Sequence, residues 1–346
     1  MMAEQSKHAR QSESHGNRLT VTFAIPALNE EARLARCLAS IRAQEYPRED
    51  VKIIVADAGS SDRTREIAGE FGALVVDNPD TLAEYGLKRA MLNVTTDLAV
   101  VFAADNELPD VQWLSRVTRL FERSGELASV WGRLLASGDD PPANKYLALL
   151  QNDPLTFFVN KNLPGYLRDA TRDDSGEPVY LFRVDPARPL PWGANGLVFK
   201  TGFIKPVWDV EGYLGDNDAF QLMVAGGHDL VAYMPELGIY HHSIASLSDW
   251  TGKFERNFAR HFVSHYASRD MSWAFPSDFR RKFAAWLVYS LFVPVSFLHS
   301  VYLALRDRDA HWLYHSPAAF LQTATYVKVV LRSREARSVV RSIILK

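Results

Sequence analysis

The sequence predicts an α/β protein: a largely parallel sheet with helices on both faces. Three observations carry this. Short apolar runs alternate with helix-period stretches along the first hundred or so residues, the pattern of strands joined by crossover helices. The runs RLTVTFAI, VKIIVA, LVV and LAVVFA are rich in β-branched residues and apolar on both faces, as strands buried from both sides are. The second and fourth runs lead into acids: Asp57 stands at the carboxyl end of its strand, and Asp105 and Glu107 stand where such ends offer a ligand site.

The elements follow in order. Residues 18–25 form the first strand, which Pro26 ends; Ala27-Leu28-Asn29-Glu30-Glu31 is a loop with Asn29 placed to cap the next helix. Leu34, Cys37, Leu38 and Ile41 recur at helical spacing, giving an amphipathic helix over residues 30–44, stopped by Tyr46-Pro47. The second strand is residues 51–56, with Asp57 at its end. Asp57-Ala58-Gly59-Ser60-Ser61-Asp62-Arg63-Thr64 is a tight polar turn opening a helix over residues 64–71. A third strand (74–76), a helix carrying Lys88 and a central strand (98–103) complete the regular part. Beyond it come a helix (112–123), a strand (129–132), an aromatic-rich helix and loop (146–167) and a polar, flexible stretch (171–178). A glycine-bearing turn then enters a strand (191–201), followed by a helix that begins with acids (216–225) and two short strands (230–233, 238–240) leading to His241-His242.

Composition limits the function. Of 346 residues, 47% are hydrophobic and 23% charged, which supports a packed core and excludes global disorder. A formal net charge of −2 gives no reason to expect a nucleic-acid partner. The single cysteine, Cys37, rules out an internal disulfide and a Cys-based metal site, and reads as a small core residue. Residues 1–17 are polar without an apolar core; a disordered tail rather than a signal peptide is expected, and with it a cytoplasmic catalytic part.

The character changes after Ser246. Phe254, Phe258 and Phe262 lie on one helical stripe, equally suited to core packing and to membrane contact. Residues 283–305 contain no Asp, Glu, Lys or Arg and are long enough to cross a bilayer core of roughly 30 Å. Arg280, Arg281 and Lys282 precede this run, Arg306 and Arg308 follow it, and Pro294 interrupts it. A weaker apolar stretch (312–331) and a basic tail (332–346) come next. Either the first run crosses and the second returns, or the segment lies in one leaflet with basic helices on anionic headgroups, or it is a buried core helix. Basic residues on both sides favour a re-entrant or interfacial arrangement.

The acids carry the candidate chemistry. Asp105 and Glu107, two apart, share a side in strand-like geometry, and two oxygen ligands suit a hard divalent cation that also binds substrate phosphates. The plain alternative is a strand end with solvated acids. Asp57 equally caps its own loop, Asp216 equally serves its helix dipole, and His241-His242 equally suit an exposed surface. Trp192 and Asn195 in PWGANG suit an acceptor or sugar pocket, while Gly193 and Gly196 read as turn residues.

Five fragments in order (Ile25-Pro26-Ala27-Leu28-Asn29-Glu30-Glu31, Asp57 to Thr64, Asp105-Asn106-Glu107, Gly215-Asp216-Asn217-Asp218 and Tyr240-His241-His242) together resemble the family-2 glycosyltransferases over about residues 20–246. The resemblance implies a GT-A fold, a Rossmann-like nucleotide half joined to an acceptor half in one mixed sheet flanked by helices. The expected organisation is a tail (1–17), a catalytic domain (18–246) and a membrane-associated helical region (247–346). By the same resemblance Pro26, Ala27, Asn29, Glu30, Asp57, Lys88, Asp105 and Asn106 border the donor. Asp105, Glu107 and His242 (or His241) hold Mn2+ or Mg2+, and Asp216, or else Asp218, is the catalytic base. The sequence departs from the family pattern at Glu107, where a second Asp is usual, and at Gly215, where a Glu precedes the Asp.

The function this implies is an inverting, metal-dependent transfer of a sugar from a nucleotide donor, UDP-linked by preference and GDP-linked otherwise. The acceptor would be a lipid-linked or polysaccharide precursor of cell-envelope synthesis, at the cytoplasmic membrane face. The alternative is a catalytically inactive nucleotide-sugar-binding scaffold. A nucleotidyltransferase is weaker, because residues 26–31 lack a glycine-rich basic loop.

Overall fold

The computed structural model describes residues 18–345 except 174–175, 193–194, 270 and 276; the expected tail and Gly193 therefore lie outside the described residues. Twelve strands are described: β1 Val21–Ala27, β2 Val51–Asp57, β3 Leu74–Asp77, β4 Leu98–Val101, β5 Asn106–Glu107, β6 Ser129–Trp131, β7 Leu134–Leu135, β8 Thr171–Asp173, β9 Val179–Arg183, β10 Val198–Lys200, β11 Leu230–Tyr233 and β12 Ile239–His241. Nine of them form one sheet in the order β3-β2-β1-β4-β10-β6-β11-β9-β8, and β5-β12-β7 form a second, small sheet. Strands β3, β2, β1 and β4 are parallel, and β10 runs antiparallel between β4 and β6. The sheet is thus Rossmann-like on one side and mixed on the other.

The apolar runs are central strands for the reason the sequence implies. Residues alternate across β1, with Phe23 and Ile25 in the core on one face and Ala24 in the core on the other. The helix Glu31–Arg42 buries Leu34, Cys37, Leu38 and Ile41 against the first face. The helix Ala83–Leu92 buries Leu87, Ala90 and Met91 against the second. Gly86 brings that helix close, since a Cβ there would stand 3.0 Å from Pro26 Cβ. The parallel register aligns the carboxyl ends of β1 and β2, with Ala27 opposite Asp57.

Three expectations are corrected. The central strand ends at Val101, and Asp105 lies in a turn before β5. Residues 171–173, expected to be flexible, form β8 on the edge of the main sheet. The charge-free run of residues 283–305 is not one helix: Phe279–Leu291 and Val293–Asp307 meet at 89° around Phe292. Pro294 explains the break, because its ring and missing N–H cannot continue a helix from Ser290, yet are tolerated in the first turn of a new one. Among the described residues no single helix is long and apolar enough to cross a membrane.

The C-terminal helices dock on the α/β body through an aromatic cluster. Tyr146 and Trp250 are buried, and the Tyr146 hydroxyl lies 2.7 Å from Nδ1 of the buried His315. The phenylalanine stripe is core packing: Phe254 stacks on Trp250, and Phe258 on Phe262 and Tyr326.

The two sheets join where β6 ends, and there Gly132 is indispensable: a Cβ would stand 1.4 Å from the Leu237 carbonyl oxygen. Backbone cannot yield as a side chain can. Gly132→Ala is expected to destabilise the fold by about 3 kcal/mol, the upper end for overpacking, read as a lower urea midpoint. Gly202→Ala, with open space around its Cβ, is the control.

Candidate functional site

Two loops at the carboxyl ends of β1 and β2 are stitched together. The Asn29 N–H donates to Ser60 Oγ (2.9 Å), Ser61 N–H returns a bond to Asn29 Oδ1 (2.9 Å), and Glu30 N–H donates to Thr64 Oγ1 (2.8 Å). Asn29 takes a left-handed φ of 55°, which asparagine tolerates better than most residues. Within this frame Asp57 is buried and accepts from Gly59 N–H, Ser60 N–H and, at 3.0 Å, the Arg65 guanidinium. Burial alone would raise its carboxyl; the bonds from Ser60, Arg65 and the amides outweigh that and hold it below the usual range. Lys88 lies elsewhere, donating to the carbonyls of Val210 and Gly212.

Asp105 and Glu107 reach different histidines. Asp105 Oδ1 is buried, accepts no hydrogen bond from the described residues and lies 3.5 Å from His241 Nε2. Glu107 Oε2 pairs with Arg36 and lies 3.2 Å from His242 Nε2, whose Nδ1 stands 2.7 Å from Asp140 Oδ1. The reason is register: Asp105 precedes β5, so strand alternation does not align it with Glu107, and successive residues of a strand face opposite ways. Asn106 is buried between these two, paired with His241 in the ladder.

Among the described residues no group of three or more His, Cys, Asp and Glu side chains stands in ligating geometry. What the fold does gather is one unpartnered carboxylate oxygen and one imidazole. Burial pulls His241 down to about 4, with Asp105 opposing, so the ring is neutral and has a lone pair to offer. Asp105 and His241 thus fit a divalent ion that takes its other ligands from water and a diphosphate. Glu107 and His242 are occupied by Arg36 and Asp140.

A cavity of about 740 Å³ opens beside His241, and Asp105 is not among its lining residues. It is lined by His241, Asn195, Trp192 and Asp216 from the α/β half and by Lys253, His261, Arg269 and Phe279 from the C-terminal helices. Asn195 Nδ2 is 3.2 Å from His241 Nε2, and Trp192 packs on Trp131 at 4.3 Å between ring centres. Asp57 is not among the residues lining it.

The helix Asp216–Ala225 places two acids in its first turn, and they differ in every respect that matters to reactivity. Asp218 is buried against Arg269 Nε (2.6 Å), the Trp273 indole N–H (3.1 Å) and Gly215 N–H (3.3 Å). Asp216 faces the cavity and, among the described residues, accepts only from the neighbouring Asn217, backbone (2.7 Å) and side chain (3.1 Å). Burial, and then the negative Glu84, push the Asp216 carboxyl upward. Glu84 itself bonds His261 (2.8 Å).

Sequence reasoning missed Glu84, Lys253, His261, Arg269 and Trp273. Four of them lie in the C-terminal stretch, whose aromatic and basic pattern reads as packing or membrane contact.

Comparison with known proteins adds a family likeness. Residues 22–175 match the model of glycosyl transferase family 2. Over that stretch the chain is similar to the family. The low-salt glycan biosynthesis hexosyltransferase Agl6 of Haloferax volcanii is 32% identical over 193 residues, 54% of this chain and 43% of the relative. Glycosyltransferase AglE of the same organism is 30% identical over 102 residues, 28% of this chain and 33% of the relative. The chain thus spans less than half the length of these relatives. A mannosyltransferase from Pyrobaculum calidifontis, solved with GDP-Man and Mn2+, superposes with a TM-score of 0.54 at 16% identity, covering 95% of this chain and 94% of that one. The fold is therefore the GT-A type.

Arg269 is expected to be indispensable to stability. Arg269→Met leaves Asp218 buried and unpaired, a change that costs about 3 kcal/mol or more. Thermal melting should show the loss, and Asp218→Asn in the same chain should restore much of it. A single Arg269→Met variant that melts like the parent would remove the pair from the account.

Proposed function

We propose that this chain is an inverting, metal-dependent glycosyltransferase, moving a sugar from a nucleotide donor to a lipid-linked acceptor at the cytoplasmic face of a membrane. The observation that carries the reading is Asp216: a carboxylate without a cationic hydrogen-bond partner, raised by its surroundings, in a cavity shared with His241, Trp192 and Asn195.

Transfer sets two electrostatic problems. The leaving diphosphate gains charge, and the anomeric carbon becomes oxocarbenium-like, as in glycoside hydrolysis. A divalent ion, Mn2+ or Mg2+, held by Asp105 and His241 would stabilise the charge on the departing diphosphate. The stitched loops of residues 26–31 and 57–64 border the nucleotide, with Asp57 fixed in one orientation by Arg65 to accept from the base. Asp216 takes the proton from the acceptor hydroxyl, and its raised carboxyl is better matched to that task near neutral pH than an ordinary aspartate. Attack opposite the leaving group inverts the anomeric centre. Trp192 supplies an apolar face and Asn195 a donor for a sugar ring. Asp218, neutralised by Arg269, holds the helix and takes no proton.

The manganese and GDP-mannose bound to the Pyrobaculum enzyme, and the glycan synthesis named for Agl6, support a divalent ion and a nucleotide-sugar donor. Both UDP- and GDP-linked donors are in scope; thermal stabilisation by UDP and by GDP with Mn2+ present separates them. The inactive-scaffold alternative predicts that stabilisation without turnover.

Asp216→Asn is expected to reduce transfer by about 10²- to 10⁴-fold, the range of general-base catalysis, while donor-induced thermal stabilisation survives. A variant with parental turnover would refute the role. The base works ionised, so turnover should fall as pH drops through a pKa above the usual carboxylate range. EDTA should abolish transfer and Mn2+ restore it; full transfer in EDTA would remove the ion from the mechanism.

A further inference from the structure

The elbow formed by Phe279–Leu291 and Val293–Asp307 departs from the rule for a helix on a protein surface. Such a helix has an apolar face toward the core and a polar face toward water. Here the inner faces are buried and hold the polar groups. Ser290 Oγ accepts from the Thr323 hydroxyl at 2.9 Å, Ser296 and Ser316 hydroxyls lie 2.7 Å apart, and Ser300 Oγ accepts from Ser316 N–H at 3.0 Å. All three inner serines are fully buried. The outer faces are apolar and exposed: Val288 by 67%, Leu291 by 50%, Phe292 by 57%, Phe297 by 50%, Leu298 by 68% and Leu305 by 75%.

The bend is therefore fixed from inside by hydrogen bonds to the helix His315–Arg332, and the apolar exterior is a consequence of sequence. Neither arm crosses a bilayer. At 1.5 Å per residue, arms of 13 and 15 residues reach about 20 and 22 Å, short of a core of roughly 30 Å. Arg281 stands at the foot of the first arm; at the foot of the second are Arg306, which pairs with Asp307, and Arg308, which lies between Asp307 and Asp309 in the chain. Cations at the foot of an apolar elbow, Arg281 above all, match an anionic lipid surface. The first turn of the first arm also lines the cavity of Asp216, through Phe279 and Lys282.

We propose that the elbow is a wedge that enters one leaflet by its apex and presents the cavity to that leaflet, so that the acceptor is an amphiphile with its polar head in the cavity and its chain in the lipid. The wedge stands on the elbow alone; the acceptor clause rests on the function proposed above. The rim cations draw the protein to an anionic surface, and the apolar side chains insert. A second copy of this chain is the competing occupant of the same face.

The test uses the full chain and vesicles of phosphatidylcholine with or without about a third phosphatidylglycerol, a mixture chosen to carry the negative surface charge that basic residues seek. The parent should float with the anionic vesicles and far less with the neutral ones. Phe292→Asp with Leu298→Asp, both outward and clear of the core, should abolish flotation and keep the parental melting temperature. A bimane on Phe292→Cys, in a Cys37→Ser background, should be quenched by nitroxides on lipid chains of the bound leaflet. Donor hydrolysis in detergent-free buffer should be unchanged by the aspartates. Transfer to a long-chain polyprenyl phosphate in vesicles should fall at least tenfold, while transfer to a short water-soluble analogue should not. No flotation with either vesicle overturns the wedge, as does a dimer that the same two aspartates dissociate. Equal loss on both acceptors overturns the delivery route. Loss of donor hydrolysis in the parent itself would fall on the proposed function and leave the wedge standing.

Discussion

The buried pair of Arg269 and Asp218 is the constraint on which the site depends. Two acids two residues apart open one helix, and both are withdrawn from bulk water. Two such charges cannot both be carried there without compensation. Arg269, 51 residues further along the chain, neutralises Asp218 and leaves Asp216 to the cavity. One contact therefore does three things: it sets apart two chemically identical side chains, ties the C-terminal segment over the carboxyl ends of the sheet, and forms part of the cavity wall. The guanidinium lies over the ring of Tyr213, which lines the same cavity and stacks on His265.

Much of the fold was legible in the sequence because its signals are local. β1, β2 and β4 are apolar on both faces because helices cover both, and a short β-branched run states this directly. The helix Glu31–Arg42 follows from the spacing of Leu34, Cys37, Leu38 and Ile41. The loops at residues 27–31 and 57–64 were also readable, since the capping residues that stitch them are the motif itself. The rest depends on register or on distant partners. Whether His241 or His242 stands beside Asp105 is decided by how β12 pairs with β5. The sharing of a side by Asp105 and Glu107 fails because β4 ends four residues before Asp105. The roles of Asp216 and Asp218 diverge through Arg269 and Trp273, and nothing near either acid announces them.

The electrostatics of the site follow from the same geometry. Lys253 is drawn below its usual range by burial and held up by Asp105, so the acid with the unpartnered oxygen has a cation within reach even before any ligand arrives. Glu84 raises Asp216 and is itself stabilised by His261. Glu84 is thus held by His261 and Asp218 by Arg269, while Asp216 between them bonds only its neighbour Asn217 among the described residues. Glu107, by contrast, is satisfied by Arg36 and His242 and stiffens the small sheet.

The division of the chain at Ser246 that the sequence suggests is a division of character more than of the site. The cavity wall is continuous across it: Trp192, Asn195, Asp216 and His241 come from one side, Lys253, His261, Arg269 and Phe279 from the other. A surface formed by sheet ends alone would leave Asp216 open to water, where its carboxyl would have little reason to depart from an ordinary aspartate. The helices that follow residue 246 supply the burial, and with it the basicity. The elbow begins at Phe279, within the same wall, and its direction is fixed by the buried serines and not by any bilayer. Phe279 in the cavity wall and Phe292 at the apolar bend are therefore the two ends of one helix, and the position of either constrains the other.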